Sequence, residues 1–147
     1  EPVEPIPSDY QVSAINTDVT ITKPDLLTAL DGRSVEIWDV RTPAEYSGEK
    51  AQSQRGGHIP GARHYEWTQA LDTERCLRLR DLDEVKSELE KTGITGEKTI
   101  VTHCQTHRRS GLSYVIAKQF GWDVKAYAGS WSEWGNDPNT PIETSKA

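Results

Sequence analysis

Lys98-Thr99-Ile100-Val101-Thr102-His103-Cys104-Gln105-Thr106-His107-Arg108-Arg109-Ser110 is the stretch that decides the fold. Its apolar, β-branched run, Thr99 to Thr102, predicts a strand. The strand stops at a cysteine. A short basic loop follows, and then Leu112, Val115, Ile116 and Phe120 recur at helical spacing up to Gly121. A strand that ends in a nucleophile with a helix N-terminus just behind it suits sulfur or anion chemistry.

Cysteine attacks as thiolate, and a free thiol is mostly protonated at neutral pH. Amides of a tight loop can point at the sulfur, and the following helix N-terminus adds positive potential. Arg108, Arg109 and a protonated His107 are expected to add more. The plain alternative is that Cys104 is a small buried hydrophobe. Five polar residues in succession, Gln105 to Arg109, are unusual after a core position and favour the reactive reading.

Outward from this centre the chain alternates between strand and helix patterns. Upstream, Val19-Thr20-Ile21 reads as a short strand. Thr22-Lys23-Pro24-Asp25 then reads as a helix start, with Leu26, Leu27 and Leu30 on its apolar face. Ser34 to Val40 is the next strand, ending at Asp39 and Arg41, and Thr42-Pro43 caps another helix. Residues 47–57 read as a loop, His58 to Ala62 as a turn, and Arg63-His64-Tyr65 as a strand. Glu66 to Leu71 is expected to form one short helix, and residues 73–79, with Cys76, to be irregular. Leu82, Val85 and Leu89 mark a helix with an acidic first turn, closed by Gly93. Residues 122–127 form the last predicted strand, followed by a turn and a short helix through Trp134. Such alternation implies an α/β fold, with a mostly parallel central sheet and helices on both faces. Working sites in these sheets lie at the carboxyl ends of the strands. Asp39, Arg41 and Cys104 all fall there and are expected to share one rim.

The length of 147 residues suits one domain. Its expected limits are an extended arm over residues 1–17, the domain over 18–135 and a polar tail over 136–147. A net charge of −6 argues against nucleic-acid partners, which need a basic face. No apolar run approaches the ~18 residues of a membrane span, so no membrane partner is expected. The chain starts at Glu1, shows no signal-peptide pattern and contains no methionine. These features suggest a processed mature form or a segment of a longer chain. A cytoplasmic setting is slightly favoured and a periplasmic one is compatible. Two cysteines make no disulfide framework, and Cys76 reads as incidental. His58 is expected to fix its turn, His64 to sit at a strand edge and His103 to be structural. The four histidines show no metal-ligand spacing. Trp131 and Trp134 are expected to cover the core.

Four separated motifs resemble one family in order. Trp38-Asp39-Val40-Arg41 with Thr42-Pro43-Ala44-Glu45-Tyr46 is similar to an Asp-x-Arg strand end and its helix. Gly57-His58-Ile59-Pro60-Gly61-Ala62, the loop Cys104 to Arg109, and Tyr127-Ala128-Gly129-Ser130-Trp131-Ser132-Glu133-Trp134 follow. Together they resemble the rhodanese sulfurtransferases, most of all the C-terminal catalytic half of tandem-domain members. The resemblance implies a rhodanese-like fold and a persulfide on Cys104, loaded by a donor such as thiosulfate and unloaded onto cyanide or a thiol. It also implies that Gln105, Thr106, His107, Arg108, Arg109 and Ser110 form the anion-binding loop, with Asp39 and Arg41 in support. No metal or organic cofactor is implied. A preceding rhodanese domain in a longer chain would be a partner.

Loop length separates close relatives. Arg109 lies five places after Cys104, whereas related phosphatases and arsenate reductases resemble Cys-x5-Arg and would need arginine where Ser110 stands. Sulfur transfer is therefore favoured over oxyanion chemistry, with a non-enzymatic persulfide carrier as a further alternative. His107 stands where many members have glycine, and Thr106 where thiosulfate-using relatives often have a basic residue.

Overall fold

A computed structural model of the chain describes residues 6–145. Part of the expected arm, including Pro2 and Pro5, and the last two residues of the tail lie outside the described residues. Residues 6–17 have no regular structure, and Ile6, Tyr10, Val12 and Ile15 are exposed.

Four parallel strands form the central sheet: β1 (Val35–Asp39), β2 (Arg63–His64), β5 (Thr99–His103) and β6 (Val124–Ala126), in the order β2-β1-β5-β6. The side chains alternate between its two faces. Trp38, Ile100 and Val124 pack with Val85 and Leu89 of α3 (Leu82–Thr92) and Ile116 and Ala117 of α4 (Ser110–Gln119). Ile37 and Val101 pack on the other side with Leu26 of α1 (Lys23–Asp31) and Trp131 and Trp134 of α5 (Ser130–Trp134). Tyr46 of α2 (Pro43–Ser47) joins this second cluster. The layered α/β architecture, with helices on both faces, is thus present.

Local chemistry accounts for the helix starts. The Thr22 hydroxyl accepts from the Asp25 amide at the head of α1, and Asp81 accepts from the Asp83 and Glu84 amides at the head of α3. At α2, Thr42 and Glu45 form a full capping box, and Pro43 opens the helix.

Three expectations need correction. Val19-Thr20-Ile21 makes only a single parallel bridge, Thr20 to Ala126, because Thr22 is already committed to capping α1. Glu66 to Leu71 is a 3₁₀ turn, Trp67–Ala70, followed directly by strand β3 (Leu71–Asp72). Residues 73–79 are the turn and return strand, β4 (Arg78–Leu79), of a small antiparallel hairpin. Cys76 and Leu77 turn its tip with φ of 57° and 58°, and Cys76 is exposed.

Parallel register sets Asp39 opposite His103 at the carboxyl ends of the two central strands. Asp39 and Arg41 are both fully buried, and the guanidinium grips the carboxylate from Nε at 2.9 Å and Nη2 at 2.5 Å. Arg41 Nη2 also donates to the Gly57 carbonyl at 2.8 Å, and the guanidinium lies 4.4 Å from the Trp131 ring centroid. The long segment after α2 and the closing helix are thereby tied to the end of β1. The segment after α5 is stitched down as well. Glu143 bridges His58, Trp134 Nε1 donates to the Pro141 carbonyl, and Arg55 donates to the Trp134, Asp137 and Thr140 carbonyls.

Removing one member of a buried charge pair leaves the other uncompensated. Asp39→Ala should lower unfolding stability by about 3–5 kcal/mol in urea titrations, and adding Arg41→Met should recover part of the loss.

Candidate active site

Cys104 is the first residue beyond β5, and its backbone is fixed by three neighbours. Its amide donates to Ser130 Oγ at 3.3 Å, its carbonyl accepts from the Trp131 amide at 2.9 Å, and His103 Nδ1 lies 3.3 Å from that carbonyl. Ser130 is buried with φ of 51°, a costly backbone state outside glycine that persists where the surroundings hold it. In that state its hydroxyl both accepts from Cys104 and donates to the Tyr127 carbonyl at 2.9 Å. The Ser132 amide holds the Gln105 carbonyl at 2.9 Å, and Gln105 Nε2 donates to Ser53 Oγ at 3.1 Å.

From Gln105 the chain wraps around the thiol and enters α4 at Ser110. Thr106 and Arg108 are exposed on the rim. His107 takes a φ of 63°, in the left-handed region, where histidine is among the better-tolerated side chains. Cys104 itself is buried, which raises its pKa. The Ser110 hydroxyl and the amides of Ser110, Thr106 and Arg109 face the sulfur and outweigh that effect, so the thiol lies below its ordinary value. The loop thus supplies donors already aimed at an anionic sulfur.

The side-chain charges fall differently from expectation. Burial lowers the pKa of His107, so it adds no positive charge at neutral pH, contrary to the expected imidazolium. Arg109 is paired bidentately with Glu45 at 2.8 and 2.9 Å, and its guanidinium also faces Cys104. Arg108 has no ion-pair partner among the described residues and is the free cation of the rim.

Behind the loop, His103 Nε2 lies 3.5 Å from the Asp39 carboxylate, yet burial brings its pKa down to about 4 despite that neighbour. His103 is therefore neutral near pH 7. Burial works against Asp39 as well; His103 and Arg41 overcome it and keep the carboxyl low. With His103 neutral, Arg41 is the working counter-charge.

The structure brings Cys104 and residues 105–110 into one cradle and sets Asp39 and Arg41 beneath it. His58 Nδ1 meets the Tyr46 carbonyl at 2.8 Å, and His64 Nε2, on edge strand β2, meets the Arg41 carbonyl at 2.7 Å. Trp131 and Trp134 are buried in the core, and Trp131 also floors Arg41. Three contributors were missed as site residues: Glu45, Ser53 and Ser130. Only Glu45 had a readable signal, its place three residues after Thr42 in a capping box, and that signal concerns the helix rather than the loop. Among the described residues no cluster of three or more His, Cys, Asp or Glu could hold a metal ion. Among the described residues no helix is long and apolar enough to cross a membrane. A cleft of about 620 Å³ opens at the opposite, amino-terminal ends of the strands, between Glu36, Arg63 and Lys98. It holds no cysteine, and Thr95 there is hydrogen-bonded to Glu36.

Burial raises the Glu45 carboxyl, but Arg109 and then the Thr42 cap outweigh it and bring the pKa from 4.5 to about 2. A depressed carboxylate contributes stability that is present above its unfolded pKa and is lost as pH falls through the folded one. The melting-temperature gap between wild type and Glu45→Gln should therefore be widest above pH 4.5 and should close as pH approaches 2.

Comparison with known proteins agrees with this architecture. The rhodanese-like domain family matches residues 22–137. A thiosulfate sulfurtransferase of Azotobacter vinelandii is 50% identical over 141 residues, which is 95% of this chain and 51% of that protein. A second, from Pseudomonas aeruginosa, is 47% identical over 131 residues, 88% of this chain and 47% of its own length. The chain thus spans about half the length of the curated relatives it matches. Among solved structures, an EanB variant with ergothioneine covalently linked to a persulfide cysteine superposes with a TM-score of 0.79 at 26% identity. That match covers 88% of this chain and 33% of the other. With the family's match covering most of its length, this chain belongs to the rhodanese-like domain family.

Proposed function

We propose that the chain catalyses sulfur transfer from thiosulfate to a thiol or cyanide acceptor through a persulfide on Cys104. The observation that carries this reading is the ring of loop amides and the Ser110 hydroxyl around a thiol whose pKa they lower. The thiosulfate sulfurtransferases at 50% and 47% identity and the persulfide-bearing structural neighbour support it.

In this mechanism the Cys104 thiolate attacks the sulfane sulfur. The S–S bond of thiosulfate breaks, and sulfite leaves with the electron pair. The new Cys104–S–S⁻ anion sits among the amides of Thr106, Arg109 and Ser110, which need no reorganisation to hold it. An acceptor nucleophile then takes the outer sulfur, and Cys104 leaves as thiolate. Arg108, free on the rim, draws the dianionic donor in. Arg109 holds the loop against Glu45. The oxyanion-enzyme alternative is disfavoured by a loop that places Ser110 where the longer motif needs arginine.

The whole protein would add a second domain ahead of this one, consistent with a chain that spans about half of its relatives. The donor and acceptor of the whole protein belong to the same proposal.

Incubation with thiosulfate should add ~32 Da to the peptide carrying Cys104, and cyanide should remove it, as for any covalent intermediate. Cys104→Ser should abolish both the adduct and thiosulfate:cyanide turnover; turnover at the wild-type rate in that variant would overturn the proposal. Arg108→Ala should raise KM for thiosulfate several-fold with little change in kcat, the pattern of lost ground-state attraction.

A further inference from the structure

Ser130 takes a φ of 51°, a state that glycine enters freely and serine seldom, and it is completely buried. The register of the sheet shows where its side chain sits. The Ile100 amide donates to the Asp123 carbonyl at 2.8 Å, and the Tyr127 amide donates to the Thr102 carbonyl at 3.1 Å. Donors along a parallel ladder recur every second residue. Carried on from Ile100 and Asp123, the recurrence reaches the Cys104 amide and the Tyr127 carbonyl. These two groups do not meet directly. The Cys104 amide donates to Ser130 Oγ at 3.3 Å, and Ser130 Oγ donates to the Tyr127 carbonyl at 2.9 Å. A hydroxyl has one proton to give and two lone pairs to receive with, so it can fill a rung from both sides.

We propose that Ser130 is a positioning residue for the nucleophile: its hydroxyl is spliced into the last rung between β5 and β6 and holds Cys104 away from β6, inside its loop. The left-handed backbone makes this possible. It turns the hydroxyl back toward the Cys104 amide and sends the next two amides, of Trp131 and Ser132, to the Cys104 and Gln105 carbonyls, each at 2.9 Å. One strained turn thus grips the nucleophile at both its amide and its carbonyl. Backbone strain gathers at active sites where the surroundings enforce it.

The hydroxyl matters because both of its partners are backbone groups of buried residues. Without it the Cys104 amide has no acceptor, and a buried donor without a partner is costly. The rung then closes, amide onto carbonyl, and Cys104 moves toward β6. That movement takes the sulfur off the amides of Thr106, Arg109 and Ser110 that face it. The thiolate loses donors, and the persulfide that follows loses the same ones.

The inference rests on sulfur transfer for its purpose, but the thiol can be read with no sulfur donor present. Ser130→Gly removes the hydroxyl and relaxes the backbone, whereas Ser130→Ala removes the hydroxyl and keeps the strain. Alkylation of Cys104 by iodoacetamide is followed against pH, with peptide mass spectrometry separating it from the exposed Cys76. Both variants should move the profile to higher pH by about one unit, with the rate near pH 7 down about tenfold. Both should lower kcat for thiosulfate:cyanide transfer by a similar factor and leave KM for thiosulfate unchanged, because the exposed Arg108 is untouched. Ser130→Gly should melt above Ser130→Ala. A wild-type alkylation profile in both variants would make Ser130 a cap on the sheet and overturn the proposal. A shift confined to Ser130→Gly would trace to a loosened backbone, one confined to Ser130→Ala would trace to strain, and either would overturn it too. Should Ser130→Ala fail to fold, the Ser130→Gly profile decides alone. Shifted profiles in both variants, with no persulfide on the wild type after thiosulfate treatment, would reject sulfur transfer and leave the positioning role standing.

Discussion

Arg41 folds back onto Asp39 at the end of β1, and from that one place reaches the Gly57 carbonyl and the face of Trp131. The pair is fully buried, and a buried ion pair is a poor source of net stability, since desolvation consumes most of the attraction. Its value here is positional. It fixes where the segment after α2 crosses the sheet and where α5 begins, and the amides of α5 in turn hold the carbonyls of Cys104 and Gln105. The cradle around the sulfur is therefore referenced to a buried charge pair on the neighbouring strand rather than to its own short loop.

The electrostatics of the site follow from how charges are cancelled. The chain carries −6 overall, and at the rim Arg108 is exposed with no ion-pair partner among the described residues. Arg109, which the motif suggests as the anion ligand, has its fork filled by Glu45. The sulfur faces dipoles, three amides and a hydroxyl, and a guanidinium whose charge Glu45 offsets. Dipoles of this kind stabilise a small diffuse anion without binding it so tightly that it cannot leave, which suits an intermediate that must be handed on.

Much of this was legible in the sequence because it is local. The spacing from Cys104 to Arg109, the caps at Thr22 and Thr42, and Asp39 and Arg41 at a strand end are all written within a few residues. What was missed is either long-range or a matter of burial. Glu45 meets Arg109 across 64 positions, and Ser53 meets Gln105 across 52. The protonation of His107 depends on its desolvation, which no motif states. The β3–β4 hairpin escaped because each strand has two residues and β4 is exposed, so no hydrophobic alternation marks it. The Thr20 strand was overread for the opposite reason: its alternating pattern is real, but the cap at Thr22 uses up the residues needed to extend it.

Arg55 gives the far end of the chain an unexpected connection to the sulfur site. Its guanidinium collects the carbonyls of Trp134, Asp137 and Thr140, while two positions earlier Ser53 supports Gln105 beside the nucleophile. His58 and Glu143 close the same belt by exchanging backbone hydrogen bonds at 2.8 and 3.0 Å. Segments joined in this way open together rather than singly. The amide protons of Thr140 and Glu143 therefore share an opening event with the wall of the catalytic loop, and their rate of exchange with deuterated water is a remote gauge of how often the sulfur site comes apart.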